Sequence, residues 1–372
     1  MRFLFHNDGR LWPIIKHFCN HSTTSDEVDI LSIFEQQDYV KITVHRYRDN
    51  SGFFEVFNHS CTLYGLDSPA SRLESLVSNI TKFVDDLGKS RQYMYYLTID
   101  DTNSYYFSIS NRLRELGTRI GVFAHGFWYT SVIFCIAHDM FLYNRHAERG
   151  FGRQHLSPNV YRSGLPHKAF NRDFRENIKK KYVQIKPSLI VAICGTWSTK
   201  LNFSYHLRTI VYELGVLRAV LTSRGYLPTR IKFIYRPHPY TTEDLTSTIE
   251  ILRDALSGFD VYFHNRDLNE LFEICDLAIF GTPSTAIYDF LAASIPIYDA
   301  TRPRGFFHNF MYGPKRSLAD VVDSALSDYS TLGAMLMTQY SIYGNDQPTG
   351  KLSMMSISAS IRYRALNHST KK

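Results

Sequence analysis

The chain has 372 residues, a formal net charge of +7 and 44% apolar residues. This length exceeds what one hydrophobic core usually supports, so we expect about two domains. The basic balance favours anionic ligands such as phosphorylated donors, acidic glycans or an anionic membrane face. It does not favour nucleic acid, because the sequence has no compact Lys/Arg stripe and no nucleic-acid-binding motif.

Cysteine usage and apolar runs narrow the class further. The five cysteines are scattered and form no Cys-x-x-Cys pair, which argues against a disulfide framework or a zinc site and fits a reducing cytoplasm. The N-terminal stretch "MRFLFHNDGR" is interrupted by charged residues, so it lacks the continuous apolar region of a signal peptide. No apolar run approaches the roughly 20 residues of a membrane-spanning helix. We therefore expect a cytoplasmic protein, at most peripheral on the inner face of the plasma membrane.

Strand and helix patterns alternate along the first half. "MRFLF" is predicted as a strand, "RLWPIIKHF" as an amphipathic stretch, and "EVDILSIF" and "VKITVHRY" as further strands. The stretch "ASRLESLVSNITKFVDDLG" has helical spacing and precedes the strand "YMYYLTI", the helix "SYYFSISNRLRELG" and the strand "RIGVFAHG". The segments "DMFLYN" and "VYRSGLP" close this half. Short apolar runs separated by helices predict a parallel sheet with crossovers.

Between Pro166 and Pro187 the composition becomes polar and charged, which indicates an interdomain linker at 171–187. The alternation then restarts with five short strands, "SLIVAIC", "IKFIYRPHP", "FDVYFHN", "CDLAIFG" and "PIYDA", separated by helical patterns. We expect one Rossmann-like domain at 1–170, a second at 188–330 and a C-terminal tail or helix at 331–372. The predicted fold class is α/β, with two Rossmann-like domains facing a cleft.

In doubly wound sheets, ligands bind beyond the carboxyl ends of the strands. The stretch "FIYRPHPYTTED" places Arg236-Pro237-His238-Pro239 directly after an apolar run. Each proline fixes its own φ and keeps the preceding residue out of helix, so Arg236 and His238 are held extended. The pattern fits either a rigidly mounted ligand-binding histidine or a strand-ending loop with a solvated histidine.

A second candidate segment, "GTPSTAIYDF" (281–290), follows the strand "CDLAIF". A helix is predicted to begin at Pro283, so Ser284 and Thr285 would lie in its first turn, near the positive end of the helix dipole. Their hydroxyls and the free backbone N–H groups of that turn would form a phosphate cradle. Asp289 lies four residues after Thr285, on the same helical face. The alternative is a well-capped helix that binds nothing.

Four further strand ends carry chemically capable residues. In "CGTWSTKLNF", Thr196 would contact phosphate or sugar, unless this is an ordinary loop. His125 follows "RIGVFA" and is either a general base or a structural histidine. Asp100 and Asp101 follow "YYLTI" and would supply a base or a nucleophile, or else a helix N-cap. The turn "HNDG" (6–9) would let the backbone approach an acceptor at Gly9.

The order of these segments is more specific than any one of them. Arg-Pro-His-Pro is followed after about 40 residues by Asp-Leu-Ala-Ile, a Ser/Thr helix start and "IPIYDA". This order resembles the C-terminal half of GT-B glycosyltransferases that build bacterial surface polymers. It is similar to CDP-glycerol glycerophosphotransferases of teichoic acid synthesis, and to the HP-motif sialyl- and Kdo transferases of capsule synthesis. The resemblance covers roughly residues 190–300, and more thinly residues 120–126.

The resemblance implies a metal-independent transfer of a sugar or polyol phosphate from a CMP- or CDP-linked donor to a cell-surface glycan or lipid-linked acceptor, without a cofactor. In that group the HP histidine and the Ser/Thr pair hold the donor phosphate and the cytidine ribose. The histidine of an N-terminal His-Gly motif, matched by His125-Gly126, would be catalytic, with Asp100 and Asp101 as the other candidates. The residues expected to bind the donor nucleotide are Arg236, His238, Gly281, Ser284, Thr285, Asp289 and Thr196; no metal ligands are expected.

Two departures from the family patterns leave the donor open. Residues 281–285, "GTPST", stand where the glycerophosphotransferases tend to have Asp-Tyr-Ser-Ser, and Asp100-Asp101 is followed by Thr102 rather than the glycine of the sialyltransferase motif. One alternative is a sugar-nucleotide 2-epimerase of the same fold, in which Asp289 is nearest to the usual glutamate of the nucleotide-binding helix. Another is a non-catalytic module that binds glycans or membranes.

Overall fold

The computed structural model of the chain describes residues 1–9, 11–23, 25–36, 39–48, 52–62, 69–99, 104–124, 136–142, 159–163, 188–195, 200–238, 244–264, 268–281, 284, 286–300, 316–343 and 350–369. The chain divides into two compact units. The first comprises Met1–Ala169 and Asp346–Lys372, and the second comprises Phe170–Asn345. No helix in the described part of the chain is long and apolar enough to cross a membrane.

The elements before the middle of the chain are β1 (Arg2–His6), α1 (Trp12–Asn20), β2 (Glu27–Gln36), β3 (Tyr39–Arg48), β4 (Gly52–Thr62), α2 (Pro69–Ser90), β5 (Tyr95–Ile99), α3 (Ser104–Glu115), β6 (Arg119–Phe123), β7 (Asp139–Leu142) and β8 (Asn159–Arg162). Those after it are β9 (Leu189–Cys194), α4 (Lys200–Ser223), β10 (Ile231–Arg236), α5 (Leu245–Ala255), β11 (Asp260–Phe263), α6 (Leu268–Ile274), β12 (Leu277–Phe280), α7 (Ala286–Ala292), β13 (Ile297–Asp299), α8 (Leu318–Ser327), α9 (Ser330–Tyr343) and α10 (Gly350–Ser369). A short 3-10 turn, Pro228–Arg230, precedes β10.

The sheet of the first unit has the order β4-β3-β2-β1-β5-β6-β7-β8. The six strands from β2 to β8 in this order are parallel, as the alternation of strands and helices predicted. The expected parallel arrangement does not extend to the other end of the sheet, where β2, β3 and β4 pair antiparallel. Only two residues separate β2 from β3, and three separate β3 from β4, which is too short for a crossover.

The core of the first unit lies on both faces of this sheet. Phe3 and Phe5 project to one face, where their rings pack on Phe18 of α1 with centroids 4.8 and 5.1 Å apart. On the other face, Leu4 and Tyr96 join a cluster with buried residues of α2 and α3. Successive strand residues point to opposite faces, so β1 contributes to both layers.

The C-terminal segment is shared between the two units. From the sequence we expected a single C-terminal tail or helix at 331–372. In the structure, α9 belongs to the second unit and α10 to the first. α10 packs on α1 and buries Ile357, Ile361 and Ala365 completely. Because these residues recur at helical spacing, they form a continuous apolar stripe that needs a partner. α1 supplies that partner, although it lies more than 300 residues away in sequence.

The sheet of the second unit is parallel throughout and has the order β11-β10-β9-β12-β13. Counted within this unit, the strand order is 3-2-1-4-5, the arrangement of a doubly wound nucleotide-binding fold. Its strand order reverses between β9 and β12. In such sheets, ligands bind beyond the carboxyl ends of the strands at the point of reversal, which here follows Cys194 and Phe280.

Candidate functional site

The carboxyl edge of the second sheet brings three of the candidate segments together. Arg236 pairs in register with Cys194, Cys194 pairs with Phe280, and Phe280 pairs with Asp299. The residues that follow each strand therefore leave the sheet at the same level. Because neighbouring strands are about 4.8 Å apart, the ends of β10 and β12 are separated by roughly 10 Å. Sequence segments more than 40 residues apart thus line one edge.

Gly195 fixes the position of the Arg-Pro-His-Pro turn. Its amide donates a hydrogen bond to the carbonyl of Arg236 at 2.8 Å, which extends the ladder between β9 and β10 by one residue. A Cβ atom at Gly195 would lie only 3.0 Å from the amide nitrogen of His238 and 3.1 Å from Cα of Pro237. Only a glycine lets the turn pack this closely on β9. From the sequence alone, Gly195 was predicted only as part of a small hydroxyl-rich turn after β9.

His238 and Arg236 are two ionisable residues at the end of β10, on this edge. Burial lowers the pKa of His238, and the neighbouring Arg236 guanidinium lowers it further. The histidine is therefore neutral at physiological pH and can donate a hydrogen bond without carrying charge. Nε of Arg236 is buried and has no hydrogen-bond partner among the described residues, and one terminal nitrogen donates to the carbonyl of Pro237 at 3.4 Å.

The segment after β12 differs in detail from its prediction. The helix α7 begins at Ala286, not at Pro283, so Ser284 precedes the helix instead of lying in its first turn. Oγ of Ser284 accepts a hydrogen bond from the amide of Ala286 at 3.3 Å and so caps the helix. Gly281 is buried directly after β12, and Asp289 is half-buried within α7. The hydroxyl that was predicted to meet a phosphate therefore already serves the helix start.

The remaining predicted site residues lie outside the described residues. They are Thr196, Thr285, His125, Asp100 and Asp101. The strands that lead to them are in place. β5 ends at Ile99, immediately before the aspartate pair, and β6 ends at Phe123, two residues before the histidine. Their roles therefore stay predictions.

Two buried ionisable residues at strand ends had no assigned role in the sequence. Asp299 ends β13, in register with Phe280 at the carboxyl edge of the second sheet, and is 3% exposed. In the first unit, His6 ends β1 beside β5, where that sheet reverses its strand order. It is 2% exposed, its Nδ1 lies 3.4 Å from the hydroxyl of Tyr96, and its ring packs edge-on against Tyr106. Their position at strand ends was the only signal in the sequence.

No group of three or more His, Cys, Asp or Glu side chains that could hold a metal ion occurs among the described residues. The expectation that the donor phosphate is met by protein groups, without a metal ion, remains a prediction. The protein groups at the edge that suit this role are the guanidinium of Arg236 and the imidazole of His238, because both donate hydrogen bonds to oxyanions.

No family model matches the sequence, and no curated protein matches it. Solved structures do match over nearly the whole chain. One is a UDP-GlcNAc 2-epimerase from Neisseria meningitidis bound to UDP-GlcNAc, with a TM-score of 0.56, 12% identity, and coverage of 97% of this chain and 100% of the other. Another is a UDP-forming trehalose-phosphate synthase from Burkholderia xenovorans, with a TM-score of 0.56, 11% identity and 99% coverage of both chains.

A third match is a glycosyltransferase from Rickettsia africae, with a TM-score of 0.55, 11% identity and 98% coverage of both chains. At these identities the likeness shows the fold alone. The chain has the GT-B fold, shared by nucleotide-sugar glycosyltransferases and sugar-nucleotide 2-epimerases. The narrower resemblance to glycerophosphotransferases and HP-motif capsule enzymes rests on the sequence motifs, since the three structures described above are an epimerase, a trehalose-phosphate synthase and a glycosyltransferase.

Proposed function

We propose that the protein is a glycosyltransferase that binds a nucleotide-activated donor at the carboxyl edge of its second sheet. The observation that carries the proposal is the buried Nε of Arg236, which lacks a hydrogen-bond partner among the described residues, next to a histidine held neutral by its surroundings. Buried polar groups are nearly always paired in folded proteins, so an unpaired donor at a ligand-binding edge points to an anionic ligand.

The chemistry follows from the two side chains. As the bond to the sugar breaks, negative charge grows on the leaving phosphate. The guanidinium of Arg236 and the neutral imidazole of His238 donate to its oxygens from positions that the two prolines and Gly195 fix in advance. Donors that need no reorganisation stabilise such charge most effectively. Ser284 would contact the ribose or the second phosphate from beyond the end of β12, because its hydroxyl can donate while its oxygen accepts from the amide of Ala286.

The acceptor hydroxyl needs a base within about 3 Å, or one water away. We propose His125 for this role because its ordinary pKa lies near neutrality, with Asp100 and Asp101 as the alternatives. The acceptor would be a cell-surface glycan or a lipid-linked precursor of one. We further propose a cytoplasmic location, peripheral on the inner face of the plasma membrane.

The donor nucleotide is tested by thermal shift with CMP, CDP, UDP and GDP. The sequence motifs favour a cytidine nucleotide, whereas two of the solved structures with a similar fold hold UDP or UDP-GlcNAc. A nucleotide at one hundred times its dissociation constant raises the free energy of unfolding by about 2.7 kcal/mol. Stabilisation by one nucleotide in the original chain, and its loss in Arg236→Gln, supports the site. No shift with any nucleotide contradicts it.

A sugar-nucleotide 2-epimerase is the second candidate, because structures of UDP-GlcNAc 2-epimerases match nearly the whole chain. Both activities need the same nucleotide site, so binding does not separate them. Product analysis does. A transferase extends an added glycan acceptor and releases the nucleotide stoichiometrically, whereas an epimerase yields a free or nucleotide-linked epimer without an acceptor. The substrate for this test is a sugar conjugate of the nucleotide that stabilises the protein. If the protein converts that sugar to its epimer and does not extend the acceptor, the epimerase assignment replaces the transferase one.

A further inference from the structure

Two polar side chains and two aromatic ones lie together at the carboxyl edge of the first sheet. Nδ2 of Asn7, which directly follows β1, donates to Oγ of Ser32 in β2 at 2.8 Å. Oδ1 of the same amide accepts from Nε1 of Trp12, the first residue of α1, at 3.1 Å. Phe34 lies two residues beyond Ser32, on the same face of β2 and roughly 7 Å farther along the strand. We call Asn7, Trp12, Ser32 and Phe34 the edge cluster.

The edge cluster lies where a sheet of this kind binds ligands. The strand order of the first sheet reverses between β1 and β5, and ligands of doubly wound sheets bind beyond the carboxyl ends of the strands at such a reversal. β1 ends at His6, in register with Leu31, whereas β2 continues to Gln36. β2 and its partner β3 therefore extend past the end of β1, and Phe34 belongs to the extended part.

The amide of Asn7 is exposed and yet held in one orientation. Most side-chain hydrogen bonds go to backbone or water, whereas both ends of this amide bond to other side chains. A primary amide has two N–H donors and a carbonyl oxygen with two lone pairs. After the bonds to Ser32 and Trp12, the group can therefore donate one further hydrogen bond and accept one more, in a geometry that is fixed in advance.

The aromatic members give the edge cluster an apolar part. Phe34 is 55% exposed, and Trp12 is half-buried. A single exposed aromatic residue is ordinary on a protein surface, but this one shares its sheet edge with a second aromatic residue and a fixed amide. The ammonium of the exposed Lys16 lies 6.0 Å from the centre of the Trp12 ring. Such a contact is weak at an exposed site, so an arriving ligand can displace this flexible side chain.

We propose that the edge cluster is a subsite for one pyranose ring of a glycan. The C–H face of a pyranose packs on an aromatic ring, and its neighbouring hydroxyls donate and accept, which matches the two further bonds of the Asn7 amide. An apolar protein surface would bury that amide without those bonds, which costs free energy. Identifying this ring with part of the acceptor rests on the proposed function. Sugar binding itself does not, because the edge cluster needs no donor nucleotide.

The test is a titration of the full chain, without nucleotide, with the methyl β-glycosides of glucose, galactose, N-acetylglucosamine and glucuronic acid. Saturation-transfer NMR and tryptophan fluorescence report binding. We expect at least one glycoside to bind and to change the fluorescence, and Trp12→Phe should remove that change. Phe34→Ala should weaken binding about three- to tenfold, the range for loss of one aromatic contact, whereas Phe34→Tyr should bind like the original chain. The matched control is Tyr363→Ala in α10, whose side chain is 61% exposed and which should also bind like the original chain.

Three results would overturn the proposal. No glycoside binds, or Phe34→Ala and Tyr363→Ala bind sugar equally well, which would place the sugar elsewhere. The third is a concentration-dependent dimer in sedimentation velocity that only Phe34→Ala loses, which would assign the edge cluster to a second copy. If Phe34→Ala lowers the melting temperature, Asn7→Ala replaces it, and unchanged sugar binding by that variant contradicts the proposal. Sugar binding without any nucleotide-induced thermal shift would contradict the proposed transfer alone, and the shift without sugar binding would contradict the subsite alone.

Discussion

Replacing Gly195 by alanine tests whether the end of β9 sets the position of His238. The new methyl group would lie 3.0 Å from the amide nitrogen of His238, and 3.1 Å from both Cα of Pro237 and the hydroxyl of Tyr235. Ordinary contacts begin at 3.4 Å, so these neighbours must move by a few tenths of an ångström. Two of the three atoms belong to a proline-stiffened backbone, which makes the adjustment costly.

The expected loss of stability combines two effects. Overpacking a well-packed site costs about 1–3 kcal/mol. Removing glycine's freedom from the unfolded chain returns about 0.4–1 kcal/mol, so the net loss is about 0.5–2 kcal/mol. Catalysis should suffer as well. Since a misplacement of about 1 Å can cost about a hundredfold, a shift of a few tenths of an ångström at His238 should lower turnover about three- to tenfold.

The matched control is Gly215→Ala, in the middle of α4, where a Cβ atom meets no heavy atom within 4 Å. There the substitution should raise the free energy of unfolding by about 0.5–1 kcal/mol, because alanine is the better helix former. Urea unfolding and initial transfer rates measure both variants. If Gly195→Ala is as stable and as active as Gly215→Ala, the turn does not depend on close packing against β9.

The remaining predictions concern charge, protonation and metal. His238→Ala should fold normally and lower turnover about a hundredfold or more, as expected for loss of one preorganised donor to the leaving phosphate; near-normal rates would refute its role. Arg236→Gln should keep or slightly raise the melting temperature while weakening nucleotide binding at least about tenfold in calorimetry, whereas Asp139→Asn should cost about 3–5 kcal/mol of stability and leave nucleotide affinity unchanged. Burial, Arg119 and Arg114 lower the pKa of His138 to about 4, so the unfolded chain binds its proton first as the pH falls and the free energy of unfolding should decrease between about pH 6.5 and 4. Urea titrations of His138→Asn should lack this part of the decrease, and an identical pH profile would contradict the assignment. Transfer should persist in EDTA; complete loss that magnesium or manganese restores would reveal a metal site.

The second sheet could be predicted because each of its strands and helices is recognisable from a continuous stretch of sequence. Each of its strands is a short apolar run, and each run is followed by a helix, which is the pattern of a parallel doubly wound sheet. The position of the Arg-Pro-His-Pro turn at its carboxyl edge followed from that pattern. The contact that holds the turn did not, because Gly195 and His238 are brought together only by the pairing of β9 with β10.

The first sheet shows where local pattern is insufficient. The strands β2 and β3 look alike in sequence whether they pair parallel or antiparallel, and only the short connection between them reveals the direction. Asp29 is a carboxylate that is completely buried in β2, and no neighbour in sequence explains it. The structure does, because Arg46 donates to its carboxylate at 2.8 Å and the hydroxyl of Tyr93 donates at 2.7 Å. Partners 17 and 64 residues away cannot be read from the strand itself.

Buried polar groups at the amino edges of the sheets are paired, whereas one at the carboxyl edge of the second sheet is not. This difference distinguishes groups that stabilise the fold from a group suited to binding a ligand. At the amino edges the carboxylates are paired: Asp139 accepts from Arg119 at 2.7 Å and Tyr95 at 3.0 Å, and Asp276 accepts from the amide of Ile190 at 2.9 Å. Removing one member of such a pair leaves the other buried without its partner, which is strongly destabilising. These groups therefore contribute to the stability of the fold. At the carboxyl edge of the second sheet, Nε of Arg236 is buried with no partner among the described residues. Folding alone gives no reason to keep a donor in that state, whereas an arriving phosphate completes it. Arg236→Gln should therefore weaken nucleotide binding without loss of stability. Asp139→Asn should lower stability and leave nucleotide affinity unchanged.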